Sequence, residues 1–220
     1  MDGYRTDRSR KRLYELTVFE KALLGQLFRS VLESSKAPSV TVLHKALQTY
    51  RLRIVRTLGK LEQKHRLVRK KDTGEIICVY PLSLIPTEHQ VIMEKEKNLF
   101  AHSAVEALGI PHMFSKNVEI VSRCHMCKEA ITITVENGDI VSKSHPHIYI
   151  SNPRQREFAA AATYSQCMNF FCSEEHIKAW MHENVQLANE CQGRLLEQEY
   201  PRIKEYWTRY GRMIGTRKIA

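Results

Sequence analysis

Three cysteines and one histidine in the second half of the sequence have the spacing of a metal-binding site. Cys124 and Cys127 form a Cys-x2-Cys pair, and Cys172 and His176 form a Cys-x3-His pair. Thiolate and imidazole are ligands that zinc prefers, and four of them complete a tetrahedral site. The four residues therefore predict one bound metal, zinc first, with mercury or another soft metal as the alternative. Cys167 lies five residues before Cys172, so it is an alternative to His176 as fourth ligand.

The elements around these residues favour the same site. Apolar and polar residues alternate in 117–122 and again in 130–138, which predicts two strands with the Cys-x2-Cys pair on the turn between them. Ser173 is typical of a helix N-cap, so Cys172 and His176 are expected near each other at the start of a helix. The alternative is that Cys172 is a buried thiol and His176 an exposed side chain without a metal.

Composition narrows the class of protein. The chain has 220 residues, which suits one large or two small domains. It contains no run of the roughly 18 apolar residues that a membrane span needs, and its charged N-terminus does not resemble a secretory signal. Six cysteines are too few for a disulfide scaffold of this length. We therefore expect a cytoplasmic protein whose clustered cysteines serve metal binding or catalysis, with a homodimer as one form of assembly.

Positive charge is concentrated in the first part of the chain. Residues 1–97 contain 20 Lys and Arg against 11 Asp and Glu, whereas residues 98–220 contain 14 against 13. This distribution is typical of a protein whose N-terminal part binds a polyanion.

The N-terminal pattern predicts three helices and a hairpin. Thr17 and Glu20 form a capping box that opens the first helix. A second helix is expected from Val42 to Leu47 with Thr41 as its cap. A third is expected from Arg51 to about His65. Two strands, 67–71 and 75–80, follow with a turn at 72–74. The residues of the third helix expected to face the core are Leu52, Val55, Leu58 and Leu61.

This order is that of a winged helix-turn-helix, which we assign to residues 1–81. A basic third helix and basic hairpin predict binding of double-stranded DNA. The expected DNA-binding residues are Arg51, Arg53, Arg56, Lys60, Lys64, Arg69, Lys70 and Lys71. A structural role for the basic helix and a protein-contact role remain alternatives.

From about Leu82 to Tyr200 the sequence resembles the alkylmercury (organomercurial) lyase family. The resemblance is carried by five segments in the family's order: SLIPTEHQVIM, NLFAHSAVEALGIPHMF, VEIVSRCHMCKEAITITV, NFFCSEEHIKAW and LLEQEY. It implies a winged-helix-like helical domain followed by a catalytic domain, here residues 82–220. It also implies cleavage of carbon–mercury bonds by two cysteines and an aspartate. The expected fold is α+β, with a lyase-like α/β second domain.

The resemblance also implies site positions. The family's first cysteine and its aspartate lie in a Trp-Cys-Ala-x-Asp type of segment, which reads His-Ser-Ala-Val-Glu at residues 102–106. By this register, Ser103 replaces the nucleophile, Glu106 is the acid and Cys167 corresponds to the second cysteine. A hydroxyl is a poor ligand for soft mercury. The sequence thus favours a metal-binding, DNA-binding transcription regulator that does not cleave carbon–mercury bonds. The alternatives are an organomercurial lyase and an adaptor protein with structural zinc.

Overall fold

The computed structural model describes residues 15–93, 97–153 and 167–216. Within these residues the helices are α1 (Val18–Ser34), α2 (Val40–Ala46), α3 (Arg51–Gln63), α4 (Ala104–Phe114), α5 (Glu174–Glu183), α6 (Val185–Glu190) and α7 (Leu196–Ile214). The strands are β1 (Leu67–Arg69), β2 (Ile76–Val79), β3 (Leu82–Ser83), β4 (Gln90–Met93), β5 (Lys97–Ala101), β6 (Val118–Arg123), β7 (Ala130–Glu136), β8 (Asp139–Lys143), β9 (Tyr149–Pro153), β10 (Phe170–Phe171) and β11 (Cys191–Leu195).

The strands form two antiparallel sheets. Eight strands pair in the order β1-β2-β3-β5-β4-β6-β7-β8, and three pair in the order β10-β9-β11. The mixture of helices with antiparallel sheets confirms an α+β fold and corrects the expected α/β character of the second part. The larger sheet also continues across the predicted boundary between residues 81 and 82, because β2 pairs with β3.

The N-terminal helices largely follow the predicted order. The capping box of α1 is present: Glu20 N–H donates to Thr17 Oγ1 at 3.2 Å, and Thr17 N–H donates to Glu20 Oε2 at 2.6 Å. The second helix begins earlier than predicted, because its cap is Ser39 rather than Thr41: Ser39 Oγ accepts the Val42 N–H at 3.3 Å. That cap starts α2 at Val40.

The buried face of α3 differs from the prediction. Leu52 and Val55 are 59% and 47% exposed, so the expectation that they face the core is wrong. The prediction is confirmed for Leu58 and Leu61, which are buried, and the core stripe is completed by Ile54 and Thr57. The Thr57 hydroxyl donates to Arg53 O at 2.7 Å, which makes burial of this polar side chain tolerable.

Helices α4 and α7 pack tightly against each other. Trp207 of α7 lies over Gly109 of α4, where an added Cβ would overlap the indole ring. Gly211 is similarly close to the Met113 backbone. Two glycines thus let the helices approach closely, and α4 is buried along nearly its whole length. Among the described residues, no helix is long and apolar enough to cross a membrane.

Candidate metal centre and buried acid pocket

Four potential metal ligands converge beside the end of the large sheet. Cys124 and Cys127 lie on the turn between β6 and β7, and Cys172 and His176 lie at the start of α5. Their ligand atoms are all within 4.8 Å of one another. We call these four residues the Cys/His cluster. Cys167, the predicted alternative to His176, is not part of it.

Backbone hydrogen bonds position both halves of the cluster. Cys124 N–H donates to Glu129 O at 2.8 Å and Lys128 N–H donates to Cys124 O at 2.9 Å, which closes the turn. His125 N–H donates to Phe170 O at 2.9 Å and holds the turn against β10. On the other side, Ser173 caps α5 by accepting the His176 N–H at 3.3 Å.

The separations within the cluster are close to those of a tetrahedral site. Cys124 Sγ lies 3.6 Å from His176 Nδ1, Cys127 Sγ lies 3.5 Å from Cys172 Sγ, and Cys172 Sγ lies 3.1 Å from His176 Nδ1. A zinc ion with ordinary bond lengths would give edges of about 3.6 Å for S···N and about 3.8 Å for S···S. The donor set and its spacing therefore fit a four-coordinate metal.

The thiols of the cluster differ in acidity. Burial opposes ionisation of Cys124, but backbone N–H groups of Cys127, Cys172 and Met126 outweigh it and lower its pKa to about 7. Burial raises the pKa of Cys172, and the neighbouring thiols raise it further. Cys124 is therefore the first of these two thiols to become a thiolate, the form that binds metal.

A second group of reactive side chains lies at the start of α4. Ser103 is the N-cap residue, and its hydroxyl donates to Glu106 Oε2 in the first turn. Both side chains are fully buried. The other carboxyl oxygen, Glu106 Oε1, has no well-formed hydrogen bond to any described residue.

The buried environment of Glu106 favours the protonated form of its carboxyl near neutral pH. Burial raises its pKa from 4.5 to about 8, although hydrogen bonding from the Tyr80 phenol and from its own backbone lowers it in part. Tyr80 was not found from the sequence, because no motif contains it. It reaches the acid because the chain just after β2 runs beside the segment that leads into α4, where His102 N–H donates to Pro81 O at 3.3 Å.

Cys167 lies in the segment that contacts the start of α4. Ala104 N–H donates to the carbonyl of Met168 at 3.1 Å, which places the residue after Cys167 beside Ser103. Burial raises the pKa of the Cys167 thiol, and a hydrogen bond with the Cys191 side chain partly offsets this. Cys191 is the first residue of β11. The structure thus brings Ser103 and Glu106 together and places the Cys167 segment against them.

A small cavity of about 130 Å³ lies between the end of α3 and the residues near Glu106. The cavity is lined by Tyr80, which interacts with the acid, and by His102 and Cys78. Burial raises the pKa of Cys78 to about 12, and the Glu106 carboxyl adds to this rise when it is ionised, so the Cys78 thiol is protonated.

The residues predicted to bind DNA separate into two groups. Three of them form salt bridges: Lys64 with Glu20 at 2.8 Å, Arg69 with Glu62 at 2.5 Å, and Lys70 with Glu75 at 2.7 Å. The others are exposed without such a partner in the described part of the chain: Arg51, Arg53, Arg56, Lys60 and Lys71.

Comparison with known proteins places this architecture in a family. Residues 82–200 match the family model described as alkylmercury lyase. An alkylmercury lyase of Staphylococcus epidermidis is 27% identical over 118 residues, which are 53% of this chain and 54% of the relative. One of Bacillus cereus is 28% identical over 160 residues, 72% of each chain.

A solved structure supports the same fold over nearly the whole chain. The crystal structure of the mercury-bound form of MerB2 aligns with a TM-score of 0.76 and 23% identity, covering 93% of this chain and 98% of the other. At that identity the likeness concerns the fold alone. The family match covers more than half of the sequence and includes Ser103, Glu106, Cys167 and the Cys/His cluster, so the chain belongs to the alkylmercury lyase family.

Proposed function

We propose that this protein cleaves carbon–mercury bonds of organomercurials by protonolysis. The observation that carries the proposal is the buried, neutral Glu106 carboxyl beside the Cys167 segment. A carbanion-like leaving group needs a nearby proton donor, and an acid that remains protonated near pH 7 meets this need. The named relatives are alkylmercury lyases, which favours this alternative over the non-catalytic regulator preferred from the sequence.

The reaction can be written with this chain's own groups. The Cys167 sulfur forms a bond to the mercury of R–Hg⁺ and releases its thiol proton, because mercury is soft and prefers thiolate. The Glu106 carboxyl then gives its proton to the carbon, and the electron pair of the C–Hg bond forms the new C–H bond. The products are the hydrocarbon, Hg²⁺ on the Cys167 thiolate, and the Glu106 carboxylate. A thiol from solution takes over the mercury, and water returns the proton.

Ser103 is assigned a positioning role rather than that of a mercury ligand. Its hydroxyl holds Oε2 of Glu106, which leaves Oε1 as the oxygen with no well-formed bond in the described residues. This arrangement orients the carboxyl while one oxygen stays available to the substrate. Since a hydroxyl does not replace a thiolate toward mercury, we expect Cys167 to make the main contact with the metal.

The test is release of hydrocarbon from an organomercurial in the presence of excess thiol, measured by gas chromatography. We expect turnover by the unmodified protein and its loss in Glu106→Gln and in Cys167→Ala. Glu75→Gln, at an exposed glutamate of the β1–β2 hairpin, is the matched control and should retain activity. Absence of hydrocarbon above the protein-free rate, or full activity of Glu106→Gln, would refute the proposal.

We further infer that the Cys/His cluster holds one zinc ion with a structural role. The donor set and the S···N and S···S separations support this inference. Cys167 and Cys172 bound one short segment that contains β10, so a metal on Cys172 would steady the segment that carries the reactive thiol. A structural adaptor would bind the same zinc but release no hydrocarbon, so the chromatographic assay separates these two functions.

A further inference from the structure

We propose that the exposed face of α3 binds double-stranded DNA through a surface that the alkylmercury lyase reaction does not use. We call it the head surface and define it by the exposed side chains Arg51, Leu52, Val55, Arg56 and Lys60. The proposal is independent of carbon–mercury cleavage.

The first argument is the distribution of free positive charge. In the described part of the chain, no carboxylate lies within ion-pair distance of Arg51, Arg56 or Lys60. Lys64 and Arg69, by contrast, are neutralised by Glu20 and Glu62. The internal ion pairs thus neutralise basic side chains at the end of α3 and in the hairpin. The basic side chains along the outer face of α3 remain available to phosphates.

The second argument is the apolar character between these bases. Leu52 and Val55, at 59% and 47% exposure, lie on the same outer face. Gly59 continues that face, and nothing lies within 4 Å of the position that its Cβ would occupy. A helix in the major groove uses such a face, because its apolar side chains contact thymine methyl groups and the basic side chains beside them contact phosphates.

The third argument is the position of α3 within the head. Its inner stripe is anchored by Ile54, Leu58 and Leu61, all buried. The helix spans 13 residues, or about 20 Å, which is enough to cross a groove of about 12 Å. Lys71 on the hairpin is exposed as well and adds a further basic contact.

An acidic amphipathic peptide is the competing partner, because an open cavity of about 400 Å³ beside the head surface is lined by Phe19, Tyr50 and Leu52. Arg56 and Lys60 also line this cavity, so a peptide there would meet these two basic side chains but not Arg51 or Lys71. Duplex DNA is favoured because it can contact basic side chains along the whole outer face of α3. The test therefore includes both partners.

The experiment is fluorescence anisotropy of the full chain with a labelled duplex of about 25 base pairs of mixed sequence, from 50 to 200 mM salt. Four phosphate contacts, by Arg51, Arg56, Lys60 and Lys71, predict a slope of about −3.6 in log K against log salt, or roughly 150-fold weaker binding across this range. The double variant Arg56→Ala/Lys60→Ala should reduce the slope to about −1.8.

A matched control removes the same charge elsewhere. Arg209 and Arg212 are exposed on α7, so Arg209→Ala/Arg212→Ala should leave affinity and slope within twofold of the unmodified chain. Leu52→Ala/Val55→Ala should weaken binding with no change in slope, because it removes no charge. Circular dichroism of each variant verifies folding.

The proposal is overturned by a salt slope near zero. It is also overturned if Arg56→Ala/Lys60→Ala and Arg209→Ala/Arg212→Ala lose DNA affinity equally. It is also overturned if a labelled acidic amphipathic helix binds more tightly than the duplex and depends more strongly on Leu52 and Val55.

Discussion

Replacement of Glu106 by Gln should make the protein markedly more stable at alkaline pH relative to the unmodified chain. Burial raises the pKa of Glu106 to about 8 from its usual 4.5. The folded state therefore retains a proton that the unfolded chain releases between these two values. A raised acid pKa means that stability is highest below pH 4.5 and is lost as pH rises toward 8.

The magnitude follows from the difference between the two pKa values. At about 1.4 kcal/mol per pKa unit, the loss of stability caused by the raised pKa approaches about 4 to 5 kcal/mol above pH 8, where the buried acid has ionised. Gln keeps a partner for Ser103 but cannot ionise. The free energy of unfolding of Glu106→Gln minus that of the unmodified chain should therefore rise by about 3.5 kcal/mol from pH 5 to pH 8.

Urea unfolding of both proteins at pH 5, 6, 7 and 8 measures this difference. Histidines and surface carboxylates titrate in both proteins, so their contributions cancel in the comparison. Glu75→Gln provides the control at an exposed glutamate, and its difference from the unmodified chain should stay flat. A flat difference for Glu106→Gln as well would show that this carboxyl is ionised in the folded protein, which would also remove the proposed proton donor.

Three further predictions concern the remaining features. The protonolysis rate should fall above pH 8, where the buried acid loses its proton, and a rate that still rises at pH 9 would exclude this donor. Protein purified without added metal should contain about one zinc per chain by elemental analysis, and this zinc should be lost in Cys124→Ser and in Cys172→Ser. Full metal content in both variants would show that the Cys/His cluster does not bind the zinc. Gly109→Ala should lower stability by about 1 to 3 kcal/mol in thermal unfolding because its Cβ overlaps Trp207. Gly59→Ala, which meets open space, should raise stability by up to about 1 kcal/mol through helix propensity, and equal effects of the two substitutions would contradict the packing argument.

Local signals in the sequence predicted a large part of this fold. The Thr17 and Glu20 pair opens α1 as expected, and the turn of the first hairpin has Gly74 at a φ of 70°, a conformation that glycine adopts without strain. Alternation of apolar residues located β6 and β7 and placed Cys124 on the turn between them. These features depend on a few neighbouring residues, so the sequence contains all the information they need.

Features that depend on distant contacts were missed. The apolar character of Leu52 and Val55 predicts that they face the core, but the packing of Ile54 and Leu58 turns them outward. Ser39 and Thr41 are both acceptable caps, so sequence alone did not decide where α2 begins. Tyr80 could not be linked to the acid, because it lies 26 positions before Glu106 in the sequence and strands β3, β4 and β5 lie between them.

The contact between α4 and α7 has a consequence for synthesis on the ribosome. The acid pocket is covered by Trp207, which packs on Gly109 and lies 5.3 Å from the Tyr80 ring, and by Tyr206. These side chains are translated about a hundred residues after Glu106. A nascent chain that still lacks α7 would leave that carboxyl open to water and ionised. The environment that keeps the proton for the proposed reaction is therefore complete only once α7 has packed against α4.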